Sequence, residues 1–308
     1  MRKDFTSVLD LNREEIREVL GLAFEFKRKL RTLEEHKYLK DKTLAMLFEK
    51  PSLRTRVTFE SGMTQLGGHA IYLAPSDIGM GKRESISDVA RNLSRWVHGI
   101  LARTFAHSTV KELAKNSSVP VINALSDLEH PCQALADFQT ICELKAAGTT
   151  RLAGLKLAYL GDGNNVCHSL LLASALLDVD MVVACPMGYE PEELILNAAE
   201  SRANRSTLEV VNDPEQAARD ADVVYTDVWT SMGQEEEREK RLKLFEDFQV
   251  TEAMMGLAKK DAIFMHCMPV HRGEEVAAEV IDGPQSAVFE QAENRLHSQK
   301  AIMVELMR

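Results

Sequence analysis

The chain has 308 residues, 45% of them hydrophobic and 27% charged, with a net charge of −10. That length can bury a substantial core and divides most naturally into two domains. The acidic balance argues against nucleic acid or an anionic membrane as the main partner, since both select basic surfaces. No apolar run approaches the roughly 20 residues of a membrane span. The five cysteines, Cys132, Cys142, Cys167, Cys185 and Cys267, are an odd set without a C-x-x-C pair. Neither a disulfide framework nor a zinc site is expected from them, and a reducing cytoplasm fits best.

Met1-Arg2-Lys3-Asp4 reads as the lead into a polar helix and not as a signal sequence. That helix is expected from a cap at Asn12 to about residue 30, with Ile16, Val19, Leu20 and Ala23 at helical spacing. An apolar strand at 43–47 is broken by Pro51, and Ser52 stands where a helix N-cap belongs. Phe59, Met63 and Leu66 then recur at i, i+4 and i+7 before Gly67-Gly68. Residues 52–55 therefore form the first turn of a helix, whose N–H groups and dipole favour an anion. Arg54, Thr55 and Arg56 add donors suited to phosphate oxygens. Taken alone, S-x-R-T-R is equally a capped helix with solvated arginines.

A strand at 70–73 leads into a polar, glycine-bearing loop at 76–85, of the length and charge that functional loops show. A helix at 86–96 precedes a strand at 99–103 that ends on Arg103, at the edge where open α/β sheets place ligands. A helix at 109–115 and a strand at 119–124 repeat the pattern. His130-Pro131-Cys132-Gln133 then opens a helix over 134–147, with Leu135, Phe138 and Cys142 on one face. His130 and Gln133 are three apart and can face one ligand. An imidazole and an amide together can polarise a carbonyl and recognise an amino group, although a His-Pro turn with a Gln cap is the plainer reading.

These two motifs, in this order, resemble those of the carbamoyltransferase family, whose phosphate turn reads S-T-R-T-R and whose carbamoyl site reads H-P-x-Q. A linker at 149–154 separates them from a second α/β series. Its strand at 156–160 ends in Gly161-Asp162-Gly163-Asn164-Asn165, with a helix from near Val166. A nicotinamide-dependent dehydrogenase, with Asp180 as its acidic residue, is the competing reading here. Val166 occupies its third glycine position and disfavours it. Asparagines at this place can instead bind an amino acid's carboxylate or amine.

Strands at 181–185 and 208–211 and helices at 191–202 and 214–219 continue the alternation. A strand at 222–226 runs into Asp227-Val228-Trp229-Thr230-Ser231-Met232-Gly233, which resembles the D-x-x-x-S-M-G segment of ornithine carbamoyltransferases. The charged stretch 234–243 reads as a solvated helix, and the resemblance makes it part of a closing loop. A last strand at 262–265 leads to His266-Cys267-Met268-Pro269 and Arg272-Gly273-Glu274-Glu275-Val276. The ornithine enzymes carry H-C-L-P and R-G-E-E-V there, and aspartate carbamoyltransferases H-P-L-P-R. Phe289, Ala292, Leu296, Met303 and Leu306 mark a closing amphipathic helix, with Arg295 beside its buried face.

The resemblance spans residues 52 to 295 and so covers essentially the whole chain. It implies an α/β fold of two domains, each a mostly parallel sheet flanked by helices, with the C-terminal helix packing back on the first domain. A carbamoyl phosphate-binding domain would comprise 1–148 and 286–308, and an ornithine-binding domain 149–285. The implied reaction moves a carbamoyl group from carbamoyl phosphate to the δ-amine of L-ornithine. Ser52, Leu53, Arg54, Thr55, Arg103, His130, Gln133, Cys267, Met268 and Arg295 would hold carbamoyl phosphate. Asn165, Asp227, Ser231 and Met232 would hold ornithine, and Arg103, His130, Asp227 and Cys267 would be catalytic.

Two positions depart from the family pattern. Leu53 loses a hydroxyl but keeps the backbone N–H, and Met268 replaces the usual Leu at little cost. No metal or organic cofactor is called for. The resemblance also implies a homotrimer or a multiple of one, the loop 76–85 serving a neighbour's site, in the cytoplasm. Putrescine or an acylated ornithine is the alternative acceptor, since such enzymes would share the phosphate half, but the resemblance at Ser231-Met232-Gly233 favours free ornithine. A non-catalytic ligand-binding relative is disfavoured by the intact Arg54, His130 and Cys267.

Overall fold

The computed structural model describes residues 4–80, 83–230 and 235–308. Among them the strands are β1 (Thr43–Phe48), β2 (His69–Leu73), β3 (Gly99–Arg103), β4 (Val121–Leu125), β5 (Lys156–Leu160), β6 (Asp180–Ala184), β7 (Leu208–Val211), β8 (Val223–Thr226) and β9 (Ile263–His266). They form two sheets, ordered β2-β1-β3-β4 and β7-β6-β5-β8-β9, and every ladder between them is parallel. Parallel pairing needs a crossover between strands, and the helices of the alternating pattern supply it. The fold is the expected α/β one. No described helix is long and apolar enough to cross a membrane.

The chain divides into two compact units. One runs to Gln139 and takes back Glu293–Arg308, while the other is Thr140–Ala292. In the first, the interior strands β1 and β3 are near-continuous apolar runs, as strands covered on both faces must be. Ala45, Leu47, Ile100 and Ala102 pack there with Val89, Ala90, Val110 and Leu113 from the flanking helices. The C-terminal helix Val288–Met307 contributes its later turns to this unit, as expected. Lys300 Nζ donates to Gln65 Oε1 at 2.8 Å, and Lys27 Nζ donates to Asn294 Oδ1 at 2.7 Å.

In the second unit Ala158, Leu160, Val182, Val224 and Phe264 pack with Ala217, Met254 and Val280. The helix Asn165–Leu177 is buried along its whole length from Val166 on. Beyond Asn165 its only polar residues are His168, Ser169 and Ser174, so it has little solvent face to offer and sits inside.

Three expectations need adjusting. The helix expected over 134–147 is Pro131–Lys145, because proline suits a first helical position and turns His130 into the residue before it. The loop at 76–85 opens on a helical turn, Pro75–Ile78, closed by Gly79 in the left-handed region at φ 59°. Of that loop, Gly81 and Lys82 lie outside the described residues. The charged stretch after 234 forms a 3-10 turn and the helix Arg238–Leu244, yet Arg241 on it is buried, not solvated.

Glu129 shows how closely the first unit is built around its polar groups. It is 2% exposed, and its Oε2 accepts from the Val8 N–H at 3.0 Å. Burial pushes its carboxyl up to about 7. A folded value above the unfolded one means the native state keeps a proton that the unfolded chain releases. Stability is therefore lost as pH rises toward and through that value. Glu129→Gln removes the ionisation, so its stability relative to the parent should improve from about pH 5 to about pH 7.5, by on the order of 3 kcal/mol. Denaturant melts at several pH values check this, and a difference independent of pH would refute it.

Candidate active site

In an open parallel sheet, ligands gather at the carboxyl edge where the strand order reverses. In the first sheet this point lies between β1 and β3. The residues just past β1 are Glu49 to Thr55, and Arg103 ends β3 in register with Phe48. Ser52 caps the helix Leu53–Gln65, its Oγ accepting from the Thr55 N–H at 3.3 Å. His130 and Gln133 follow β4 at the start of the helix Pro131–Lys145. Arg295, on the C-terminal helix, joins these pieces. Its guanidinium donates to Gln133 Oε1 at 2.7 Å and to Thr55 Oγ1 at 2.8 Å. Gln133 Nε2 in turn donates to Asp137 Oδ1 at 2.7 Å.

Thr55, Arg103, His130, Gln133 and Arg295 are all buried, Ser52 and Arg54 are half-buried, and the Leu53 side chain is 74% exposed. The Leu53 side chain thus points away from this buried group, and its departure from the family motif leaves the packing there intact. Burial pushes the His130 imidazole well below its ordinary value, and Arg295, Arg103, Lys50 and Arg54 push the same way. Burial also lowers the Lys50 ammonium, with Arg103 acting in the same direction. Cations that depress one another are complementary to an anion.

In the second sheet the order reverses between β5 and β8. Past β5, Gly161 takes φ 136°, and Gly163 lies so close to the next loop that a Cβ would stand 2.3 Å from the Pro191 nitrogen. Only glycine fits there. Asn164 caps the helix Asn165–Leu177, its Oδ1 accepting from the N–H groups of Val166 at 2.9 Å and Cys167 at 3.2 Å. Its Nδ2 donates to Asp227 Oδ2 at 2.8 Å, at the end of β8. The other carboxylate oxygen, Oδ1, accepts from Cys267 Sγ at 3.0 Å, just past β9. Asp227 is buried, while Asn165, Cys267 and Met268 are half-buried. The Asn164 cap occupies helix N–H groups that a dinucleotide's pyrophosphate would use, which leaves the dehydrogenase reading without its main anchor.

Residues 3–143 match the model of the aspartate/ornithine carbamoyltransferase carbamoyl-P binding domain, and residues 153–306 match that of the Asp/Orn binding domain. An ornithine carbamoyltransferase of Methanosarcina mazei is 53% identical over 100% of both chains. The solved ornithine carbamoyltransferase from Pyrococcus furiosus superposes with a TM-score of 0.95 at 51% identity, covering 99% of this chain and 97% of that one. An acetylornithine transcarbamylase complexed with acetylcitrulline reaches 0.90 at 32% identity, covering 100% of both. The chain belongs to the aspartate/ornithine carbamoyltransferase family.

Of the residues that this carbamoyltransferase chain was expected to use, Thr55, Gln133 and Arg295 are directly bonded, and Arg103, His130 and Arg54 share one electrostatic cluster. Asp227 and Cys267 are in contact. Asn165 is the first residue of its helix, one position beyond the asparagine that bonds to Asp227. Ser231 and Met232 lie outside the described residues. Sequence reading named Asn164 only among the asparagines suited to an amino acid, and it missed Lys50, the Asn164 cap and its bond to Asp227, and the Asp162–Arg241 ion pair at 2.8 Å. A signal for Asn164 existed, since asparagine is a preferred cap and the helix start was placed at Val166.

Among the described residues two trios could share a cation: Asp227 with His266 and Cys267, and His271 with Glu274 and Glu275. In the first, His266 Nδ1 accepts from the Met268 N–H and Nε2 lies 3.2 Å from Glu275 Oε1. In the second, Arg238 holds Glu274, and Glu275 Oε1 also accepts from the His271 N–H at 2.6 Å. Neither trio offers a full set of uncommitted donors.

Because its pKa is lowered, His130 should stay neutral from about pH 5 to about pH 8, where an ordinary histidine titrates. Imidazole NMR shifts of the full chain, with His130→Asn to assign the resonance, check this. A midpoint near the ordinary value would contradict the arrangement of cations around it.

Proposed function

We propose that this chain is an ornithine carbamoyltransferase, converting carbamoyl phosphate and L-ornithine to L-citrulline and phosphate. Two observations carry the reading, each within its own unit: a converging cation cluster in one and the Asn164–Asp227–Cys267 contact in the other. Relatives that are about half identical over the full length bear the name ornithine carbamoyltransferase, which supports the same acceptor.

Carbamoyl phosphate is held by residues of 1–148 and 286–308. The Ser52–Thr55 turn, with Arg54, Arg103 and Arg295, cradles the phosphate, and Gln133 serves the carbamoyl group. Cys267 and Met268 border it. As the C–O bond breaks, charge grows on the leaving phosphate, and preset guanidinium groups stabilise it. The carbonyl oxygen becomes an oxyanion, met by Arg103, neutral His130 and Thr55. Thr55 Oγ1 already accepts from Arg295, so its own proton is free to donate.

Ornithine is held by residues of 149–285, with Asn165 and Asp227 in contact with it and Ser231 and Met232 completing the set. Its δ-amine, with an unperturbed pKa of ~10.4, must lose a proton before its lone pair attacks the carbonyl carbon. Asp227 and Cys267 orient that nitrogen and take the proton. The C–N bond forms, the C–O bond to phosphate breaks, and no covalent enzyme intermediate is required. Positioning and electrostatics carry most of the rate.

The active species is a homotrimer or a multiple of one, with the loop 76–85 serving a neighbour. Exposed apolar side chains at Leu53, Val57 and Ile71 support a covered surface in this part of the first unit. The five cysteines are free, four of them buried, which suits a reducing cytoplasm.

Citrulline formation should be seen with ornithine and be far weaker with putrescine, N-acetylornithine or aspartate. Arg54→Ala should cost ~2–5 kcal/mol in kcat/KM for carbamoyl phosphate. Preference for another acceptor, or an unimpaired Arg54→Ala enzyme, would overturn the assignment. Light scattering at assay concentration should give three chains per particle or a multiple, and a fully active monomer would refute the assembly.

A further inference from the structure

We propose that Arg241 is a positioning residue for the acceptor half of the reaction, pinning together the two loops that carry Asn164 and Asp227. This rests on the acceptor site assigned above and extends it to a residue that touches neither substrate.

Arg241 belongs to a stretch whose composition reads as solvated, yet it is 6% exposed. One of its terminal nitrogens donates both to Asp162 Oδ2 at 2.8 Å and to the Trp229 carbonyl at 2.9 Å. Nε donates to Glu237 Oε2 at 3.2 Å, and the guanidinium lies 4.7 Å from the Tyr189 ring centre. Asp162 is two residues before Asn164, and Trp229 is two residues after Asp227. A single side chain therefore crosslinks the loops on either side of the β5/β8 reversal. Tyr159 completes the frame, its hydroxyl donating to the Asp162 carbonyl at 2.9 Å and lying 3.3 Å from Asn164 Oδ1.

The energetics favour a geometric role over a stabilising one. Burial, helped by the charges of Asp227 and Glu237, holds the Asp162 carboxyl above its ordinary value against the pull of Arg241, whereas, in spite of burial, Asp162 and Glu237 hold the guanidinium above its own. Attraction and desolvation thus oppose each other across the pair, which as a whole shows no clear net gain. A buried pair of that kind is weak support for stability, and its use is to specify one arrangement among several. The arrangement specified here is the separation of Asn164 from Asp227, whose 2.8 Å bond aims the carboxylate. A misplacement of about 1 Å at a reacting group can cost about 100-fold.

Arg241→Met keeps the apolar stem of the side chain but loses all three hydrogen bonds and strands the Asp162 charge. The KM for ornithine should rise about 10- to 100-fold while that for carbamoyl phosphate stays within about twofold. The melting temperature should fall as well. Adding Asp162→Asn to that variant removes the stranded charge and should restore the melting temperature without restoring the ornithine KM. Arg241→Lys keeps the charge but cannot reach both partners in the same geometry, and should fall between parent and Arg241→Met. Recovery of the ornithine KM together with stability in the double variant, or an equal rise for both substrates, would overturn the proposal. If the parent makes no citrulline from ornithine, the functional reading fails by itself. The positioning claim is then decided by amide exchange, which should quicken at residues 162–165 and 227–230 in the double variant. Unchanged exchange there would overturn it.

Discussion

A strand in a parallel sheet ends at the same edge as its neighbours, so the loops that follow all the strands share one side of the sheet. Everything chemical in this protein depends on that constraint. Strand order then decides which loops become neighbours. With β1 beside β3, Glu49, which leads toward the Ser52 turn, meets Arg103, and with β5 beside β8, the glycine-rich turn meets Asp227. At each reversal the crossovers leave in opposite directions, and a crevice opens between them. The same rule, applied once per unit, yields a cluster of cations in one and a carboxylate–thiol contact in the other.

The two sites differ in their electrostatics because their elements differ. The first gathers cations: Arg54 from a helix start, Arg103 from a strand end, Arg295 from a distant helix, and Lys50 beside them. A bound anion would relieve their mutual repulsion and so link ligand binding to local stability. His130, held neutral in their midst, can donate a hydrogen bond without adding another charge. In the second site the cation Arg241 is committed to Asp162, Glu237 and the Trp229 carbonyl. Asp227 is satisfied instead by an amide and a thiol, both neutral donors, which leaves its charge available to an ammonium group.

Polar groups this deeply buried fold reliably only when nearly all are bonded. The second unit achieves this with a chain of contacts through Tyr159, Asp162, Asn164, Asp227 and Cys267, anchored by Arg241. Each member fixes its neighbour, and a substitution is felt along the chain. The glycines beside it are required for the same closeness. At Gly163 the next loop leaves no room for a side chain, so the backbone of the turn can lie against Pro191 and present Asn164 outward.

Local chemistry is written in the residues themselves. The caps at Asn12 and Ser52, the apolar runs of β1, β3 and β5, and the four motifs are all recognisable from spacing and residue type, because they concern neighbours within a few positions. The parallel α/β architecture follows from the alternation of strand and helix. The pairings that build the sites do not. Arg295 meets Thr55 across 240 positions, Arg241 meets Asp162 across 79, and Asn164 meets Asp227 across 63. Periodicity says which face of an element is buried, but not which element lies opposite. That is decided by strand order and by the path of the C-terminal helix, and so a stretch that reads as a solvated helix could conceal the buried arginine at its centre.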